Sequence, residues 1–251
     1  MNMYSDLAPF YDALNGEVDF EKWADYVEKQ IKKHGRTPVR EMLDLGCGTG
    51  RMTFEMHKRG YDMVGLDICE EMLAIAYENA CEVKDGNEIL WLCQDMTEFE
   101  LYGTVDAVVS CLDCLNHLSS EDELRKCLLL VHNYLIPNGL FIFDMNTPYK
   151  FQNVYGNNAY VLEEEGVLCA WQNETEGDKT TFYISLFAEG KDGLYTRFDS
   201  EQTETAFAYE QLMKIFEETG FEFLAVHSNV EEGSVTDEAL RWHFVLRCVK
   251  P

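Results

Sequence analysis

The residues of this chain with the plainest chemical potential are a glycine cluster, Gly46-Cys47-Gly48-Thr49-Gly50, between the apolar run Val39 to Leu45 and a helix-like stretch to Lys58. Such glycines turn the chain tightly and let a ligand lie against the backbone at a helix N-terminus, where unsatisfied N–H groups face it. Dinucleotide sites favour G-x-G-x-x-G, whose last glycine would fall at Arg51; it falls instead at Gly50, which disfavours NAD and FAD. Asp67 ends the next apolar run, about 20 residues beyond the loop, where a carboxylate can accept both hydroxyls of a ribose. Asp113 and His117 follow a third run, Val105 to Ser110. An imidazole whose ordinary pKa is about 6.5 can take up a proton at neutral pH, and a carboxylate can orient a cationic amine. Both side chains suit capping or packing beneath a loop equally well. Cys111-x-x-Cys114 has redox or half-zinc spacing, but a zinc site needs four ligands and no second Cys or His pair stands at ligand spacing.

These residues sit where alternating strands and helices would place them. Val39 to Leu45, Tyr61 to Leu66, Ile89 to Cys93, Val105 to Ser110 and Leu140 to Asp144 read as strands, and Glu70 to Asn79 as a helix whose acidic first turn complements its dipole. Ser120-x-x-Glu123 is a capping box, with Leu124, Cys127, Leu128, Val131 and Leu135 on one helical stripe that Pro137-Asn138-Gly139 stops. After Asn146 the period becomes alternating: Thr181 to Phe187 and Leu194 to Thr203 flank the turn Gly190-Lys191-Asp192-Gly193. A helix at Tyr209 to Thr219 and strands near Phe221 to Ser228 and Leu240 to Val249 close the chain. The expected fold is α/β, a Rossmann-like, doubly wound, seven-stranded and mostly parallel sheet. Residues 1–146 and 206–251 would form the main domain, with an N-terminal helical lid, and 147–205 an antiparallel β insert.

Composition narrows the partners. The 251 residues carry 20 Lys plus Arg against 46 Asp plus Glu, a formal charge of −26, and nowhere do basic residues gather beyond pairs such as Lys32-Lys33. Binding to a phosphate backbone draws on clustered cations, so no nucleic-acid and no anionic-membrane partner is expected. No apolar run reaches the roughly 18 to 20 residues that span a bilayer, and the start lacks a signal peptide's basic and apolar regions. A cytoplasmic protein is expected. Nine cysteines, an odd number scattered through strands and helices, read as reduced small hydrophobes.

Taken together, these motifs resemble those of the class I S-adenosylmethionine-dependent methyltransferases. Leu43 to Gly50, LDLGCGTG, is similar to their first motif; Val64-Gly65-Leu66-Asp67 to the acidic second-strand end; Cys93-Gln94-Asp95-Met96 to the adenine-side motif; Leu135 to Asp144 to the turn and fifth strand. The resemblance implies S-adenosylmethionine as cofactor. Gly46 and Gly48 would hold the methionine end, Asp67 the ribose, Asp95 the adenine amino group with Met96 nearby, and Cys111 the loop beside the sulfonium; Cys47 and Ile68 would be cofactor-binding neighbours. Tyr4 to Asp12 resembles the N-terminal segment that folds over the cofactor in small-molecule methyltransferases, with Tyr11 at the ligand; an amphipathic helix packed on the domain is the alternative. The insert resembles that of aminosugar N-methyltransferases, similar enzymes of which place a histidine where His117 stands. Ser110-Cys111-Leu112-Asp113 lacks the D/N-P-P-Y motif of DNA amino-methyltransferases. Catechol-type enzymes hold a divalent ion with an adjacent Asp-Asn pair, which is missing around Asp113, Asp144 and Asn146, so no metal is expected.

Methyl transfer is a direct displacement, for which the protein aligns donor and nucleophile and, for some acceptors, removes a proton. The expected function is methyl transfer to nitrogen or oxygen of a small-molecule acceptor, with His117 as proton acceptor and Asp113 beside it. A non-catalytic S-adenosylmethionine-binding module and a nucleotide-dependent oxidoreductase are the alternatives. The apolar face of the insert would roof the acceptor side of the cleft or form a homodimer.

Overall fold

The computed structural model describes residues 7–164 and 166–250. Helix α1 (Ala8–Leu14) carries Pro9 in its first turn, where a missing N–H costs nothing, and α2 (Phe20–His34) begins at Asp19, whose side chain accepts from the Lys22 N–H at 3.1 Å. Then β1 (Glu41–Leu45), α3 (Arg51–Lys58), β2 (Asp62–Asp67), α4 (Glu70–Ala80), β3 (Leu90–Cys93) and β4 (Val105–Ser110) alternate as their apolar periods dictate. Helix α5 (Glu121–Tyr134) starts at Ser120, whose hydroxyl accepts from the Glu123 N–H at 3.3 Å. The Glu123 carboxylate takes its reciprocal N–H from Ser119 at 2.7 Å rather than from the cap itself. Strand β5 (Leu135–Asn146) follows without a gap, so the expected turn is a kink within the strand, with Asn138 at φ +68°.

The main sheet has the order β10-β11-β5-β4-β1-β2-β3, where β10 is Phe221–His227 and β11 is Arg241–Cys248. Strands β1 to β5 pair in parallel, and β11 runs antiparallel to both β5 and β10. Apolar side chains cover both faces. Leu43, Phe141 and Phe143 pack with residues of α5 and of the helix Tyr209–Glu218; Met42, Ala107 and Val109 pack with α2 and α3. Strand order reverses between β1 and β4, which opens a crevice at their carboxyl ends.

Between β5 and that helix, a short helix α6 (Pro148–Lys150) and a further turn, Phe151–Tyr155, precede a four-stranded antiparallel sheet: β6 (Ala159–Glu164), β7 (Val167–Glu176), β8 (Lys179–Glu189) and β9 (Tyr195–Thr205). Only the last two strands were legible as alternation, and the helical turn at the start of the segment was not. The inner face brings Val167, Leu186, Ile184 and Phe198 against Leu7, Phe10 and Leu14 of the N-terminal segment. On its other side α1 packs Ala8 and Tyr11 against Cys69 and Met72 at the start of α4. Helix α1 is thereby clamped between the two sheets' territories, and Tyr4, the first residue of the expected covering segment, lies outside the described residues. Among the described residues no helix is long and apolar enough to cross a membrane.

Candidate active site

The glycine loop leaves β1 with Gly46 at φ +78° and Gly48 at φ +53°, a region that side chains rarely adopt. A Cβ on Gly46 would also stand 2.7 Å from Cys114 Sγ, so the loop can close on its neighbour only as glycine. The loop is held from β2: Asp67 accepts from the Gly48 N–H and from the Cys69 N–H, each at 2.8 Å. Burial raises the Asp67 carboxyl above its ordinary range, against those backbone hydrogen bonds. Ile68 beside it is 55% exposed, an apolar surface next to a carboxylate. Asp95 spends one oxygen on the N–H and hydroxyl of Thr97, both at 2.7 Å, which fixes the turn that carries Met96. The Met96 methyl reaches to 3.8 Å from where a Gly46 Cβ would stand. Cys47 is buried, its thiol close over Gly65.

Helix α1 covers this loop. Tyr11 lies with a ring carbon 4.0 Å from the Cβ position of Gly48, the Thr49 hydroxyl donates to Asp12 at 2.7 Å, and Arg51 donates to the Asn15 carbonyl at 3.2 Å. Burial pushes the Tyr11 phenol up, which keeps it neutral.

Beyond β4 the chain makes a strained turn, with Leu112 at φ +63° and Asp113 at φ +54°. Left-handed backbone at a branched side chain persists only where surroundings hold it. Asp144, fully buried at the end of β5, does so by accepting from the Leu112 N–H at 2.7 Å and the Asp113 N–H at 3.0 Å. Arg241, the first residue of β11, then joins the two carboxylates: it bonds Asp144 and pairs with Asp113 at 2.6 Å. Burial works against ionised Asp113, but the guanidinium prevails and holds it below the ordinary carboxylate range. Asp113, expected from sequence to orient a cationic amine, is held in an ion pair with Arg241 at the cavity wall. The same guanidinium lies between two of the three side chains considered for a metal. Turnover is accordingly expected to survive EDTA, measured as methyl transfer before and after chelation.

The two cysteines of the turn part company. Cys111 turns into the apolar cluster of α2 and the strands, so it is Cys114, not Cys111, that brings a side chain to the glycine loop. Cys114 Sγ donates to the carbonyls of Cys111 at 3.0 Å and Gly46 at 3.4 Å. Burial first, and nearby carboxylates second, raise both thiols well above their ordinary pKa, which leaves no thiolate for redox chemistry.

His117 ends a short helical turn, Cys114–His117, that begins after Asp113. Burial lowers its pKa, with the Asp113 charge opposing, so the ring is neutral and able to accept a proton. The turn is fixed by Asn116, whose amide donates to the Thr205 carbonyl at 2.8 Å and whose oxygen accepts from the Asn146 N–H at 2.9 Å. His117 and Asp113 face a cavity of about 310 Å³ together with Tyr11, Trp171, Phe182 and Arg241. The inner face of the insert forms its far wall, and α1 closes one side. Sequence reasoning missed Arg241, Lys150, Tyr155, Gln202 and Glu204, since each comes from a distant segment and carries no local motif.

The chain matches a family model described as a methyltransferase domain over residues 42–139. It is 28% identical over 246 residues to a provisionally named methyltransferase of Geobacillus sp. (strain WCH70), covering 97% of this chain and 99% of that one. A solved S-adenosylmethionine-dependent methyltransferase from Clostridium acetobutylicum superposes with a TM-score of 0.88 at 28% identity, over 99% of this chain and 100% of the other. The dTDP-3-amino-3,6-dideoxy-alpha-D-glucopyranose N,N-dimethyltransferase of Streptomyces fradiae is 24% identical over 222 residues, 86% of this chain and 83% of that protein.

Proposed function

We propose that this chain, an S-adenosylmethionine-dependent methyltransferase of class I type, methylates nitrogen or oxygen of a small-molecule acceptor seated in the 310 Å³ cavity, with His117 as proton acceptor. One observation carries this reading: Tyr11 both borders the glycine loop and lines the cavity, and Cys114, which bonds the Gly46 carbonyl, directly follows the cavity-lining residues Leu112 and Asp113, so the two sites adjoin. The residues present fit the cofactor. Gly46 and Gly48 add no side chains of their own to a loop that Cys114 and Tyr11 already border, Asp67 stands at its rim, and Met96 and Ile68 offer apolar surface. Bound there, S-adenosylmethionine supplies a methyl carbon activated by positive sulfur.

The protein's own task is orientation and proton removal. Tyr11, Trp171 and Phe182 exclude water around the acceptor, and neutral His117 takes the proton that an amine or hydroxyl must lose. Asp113, tied to Arg241, positions the turn that carries the histidine. The relative from Streptomyces fradiae, named for dimethylation of an aminosugar nitrogen, agrees with a small acceptor. A chain at −26 favours neutral or cationic metabolites over polyanions. Mass spectrometry of a metabolite extract incubated with labelled methyl donor tests the assignment; label confined to RNA or protein would overturn it.

The insert is assigned to the acceptor side. Gly193 at the β8–β9 turn has φ +75°, and its N–H donates to the Gly190 carbonyl at 2.9 Å. Gly193→Val imposes a local cost of about 1–2 kcal/mol on that hairpin. Acceptor KM is expected to rise while the cofactor Kd, by calorimetry, stays unchanged; loss of cofactor binding with acceptor binding intact would reverse the insert's role.

A further inference from the structure

We propose that Glu204, with Gln202 beside it on β9, is the acceptor-recognition group of the cavity and selects an acceptor that presents an ammonium group over one that presents only hydroxyls. The proposal rests on the reading of the cavity as the acceptor site. Gln202 and Glu204 are two residues apart on one strand, so both side chains point to the same face, and both line the cavity.

Each presents a hydrogen-bond acceptor that the protein does not fill. Glu204 is only 4% exposed, yet its one hydrogen bond to a described residue is a long one: Asn146 donates to Oε2 at 3.4 Å. The second oxygen, Oε1, has no hydrogen-bond partner among the described residues. Gln202 Oε1 is buried without a partner. Native interiors satisfy such atoms, and a buried acceptor left open on a cavity wall beside an underfilled carboxyl marks a place where a ligand supplies the donors. A carboxylate and an amide oxygen side by side lack donors and positive charge, and a protonated amine brings both. A hydroxyl brings one donor and no charge.

The charges around Glu204 leave it the odd member. Arg241 on β11 is committed to Asp113 and Asp144, and Lys150 on α6 reaches Glu204 through the Asn146 amide, donating to its oxygen at 2.9 Å. Asp113 faces Glu204 as a like charge, and Tyr155, whose ring lies 4.8 Å below the Lys150 ammonium, is the remaining titratable neighbour. With Glu204 ionised, three carboxylates would stand against two cations, so an acceptor cation completes the set. Burial, with the Asp113 charge adding, pushes the Glu204 carboxyl up to about 8, so without a partner it keeps its proton near neutral pH, and an arriving ammonium favours the carboxylate. For transfer the ammonium gives one proton to His117, its nitrogen lone pair forms the new C–N bond, and the electrons of the broken methyl–sulfur bond remain on sulfur. The methylated product is again a cation that Glu204 can hold until release.

The test uses the full chain as wild type, Glu204→Gln and Glu204→Asp. Each is given methyl-labelled S-adenosylmethionine and a mixture of 2-phenylethylamine, cyclohexylamine and glucosamine with 2-phenylethanol, cyclohexanol and glucose. Wild type is expected to label nitrogen of at least one amine and no alcohol. Glu204→Gln should lower kcat/KM for that amine by about tenfold to a hundredfold, mainly through KM, with partial rescue in Glu204→Asp and unchanged cofactor Kd. A folding readout separates recognition from a structural role. A carboxyl raised in the folded state costs stability as pH rises from its ordinary 4.5 through about 8, so the Tm advantage of Glu204→Gln should grow across that window. Label on alcohols, no labelled amine while S-adenosylmethionine binds, equal amine labelling in Glu204→Gln, or a variant less stable at every pH would each overturn the proposal. In those cases the methyltransferase reading stands; failure of wild type to bind S-adenosylmethionine would overturn both.

Discussion

Asp67→Ala is expected to weaken S-adenosylmethionine binding by about 10²-fold to 10⁴-fold, the loss of two charge-assisted hydrogen bonds of roughly 1.5–3 kcal/mol each. The structure adds a second contribution in the same direction. The carboxylate that would accept the ribose hydroxyls also holds the Gly48 N–H at 2.8 Å and the Cys69 N–H at 2.8 Å. Removing it frees a loop whose glycines occupy left-handed backbone, so binding must then also order that loop. Asp67→Asn separates the two effects: it keeps one acceptor for the loop and removes the charge. Calorimetric Kd values for wild type, Asp67→Asn and Asp67→Ala should fall in that order of affinity, with all three folded by circular dichroism. Unchanged affinity in Asp67→Ala would overturn the assignment of this carboxylate to the cofactor.

His117→Ala is expected to lower turnover by about 10²- to 10⁴-fold, the usual contribution of a positioned general base, while leaving cofactor affinity intact. The separation follows from the structure, since His117 lines the cavity and the contacts to the glycine loop are made by Tyr11 and Cys114. The expected pH profile has a definite sign. Burial lowers the imidazole pKa, so the neutral form persists below the ordinary histidine range and the acid limb of kcat should be displaced to lower pH. Full activity in His117→Ala would return the residue to a packing role under its turn and leave the acceptor class standing. A small amine supplied in solution that restores part of the lost rate would identify proton transfer as the missing step.

What the sequence determined by itself was whatever a short stretch of chain can settle. A strand, a glycine turn and a helix start lie within Glu41–Lys58, so spacing alone placed the loop, and Asp67, 19 residues beyond Gly48 at the end of the adjacent strand, is held to it by a hydrogen bond. The same holds for Ser120 at the start of α5, whose capping bond spans three residues. Periodicity carried β4 and the core strands because side chains buried on both faces leave no alternative pattern. It failed for β6 and β7, where AYVLEE leaves Val161 exposed and VLCAWQNETE buries Asn173, so neither strand alternates cleanly between apolar and polar.

Only the tertiary structure decided the chemistry of the acceptor side. Asp113 reads as a free carboxylate until Arg241 arrives, and Arg241 meets Asp144 across 97 residues of sequence. Asn116 fixes the His117 turn through Thr205, 89 residues away, and Glu204 becomes an underfilled carboxylate only because the insert folds its inner face over β5 and α6. The physical reason is one of range. Turn geometry and caps depend on torsions and hydrogen bonds between near neighbours, which sequence spacing encodes directly. The charge state and partner of a buried side chain depend on burial and on distant charges, quantities that exist only once the chain has closed on itself.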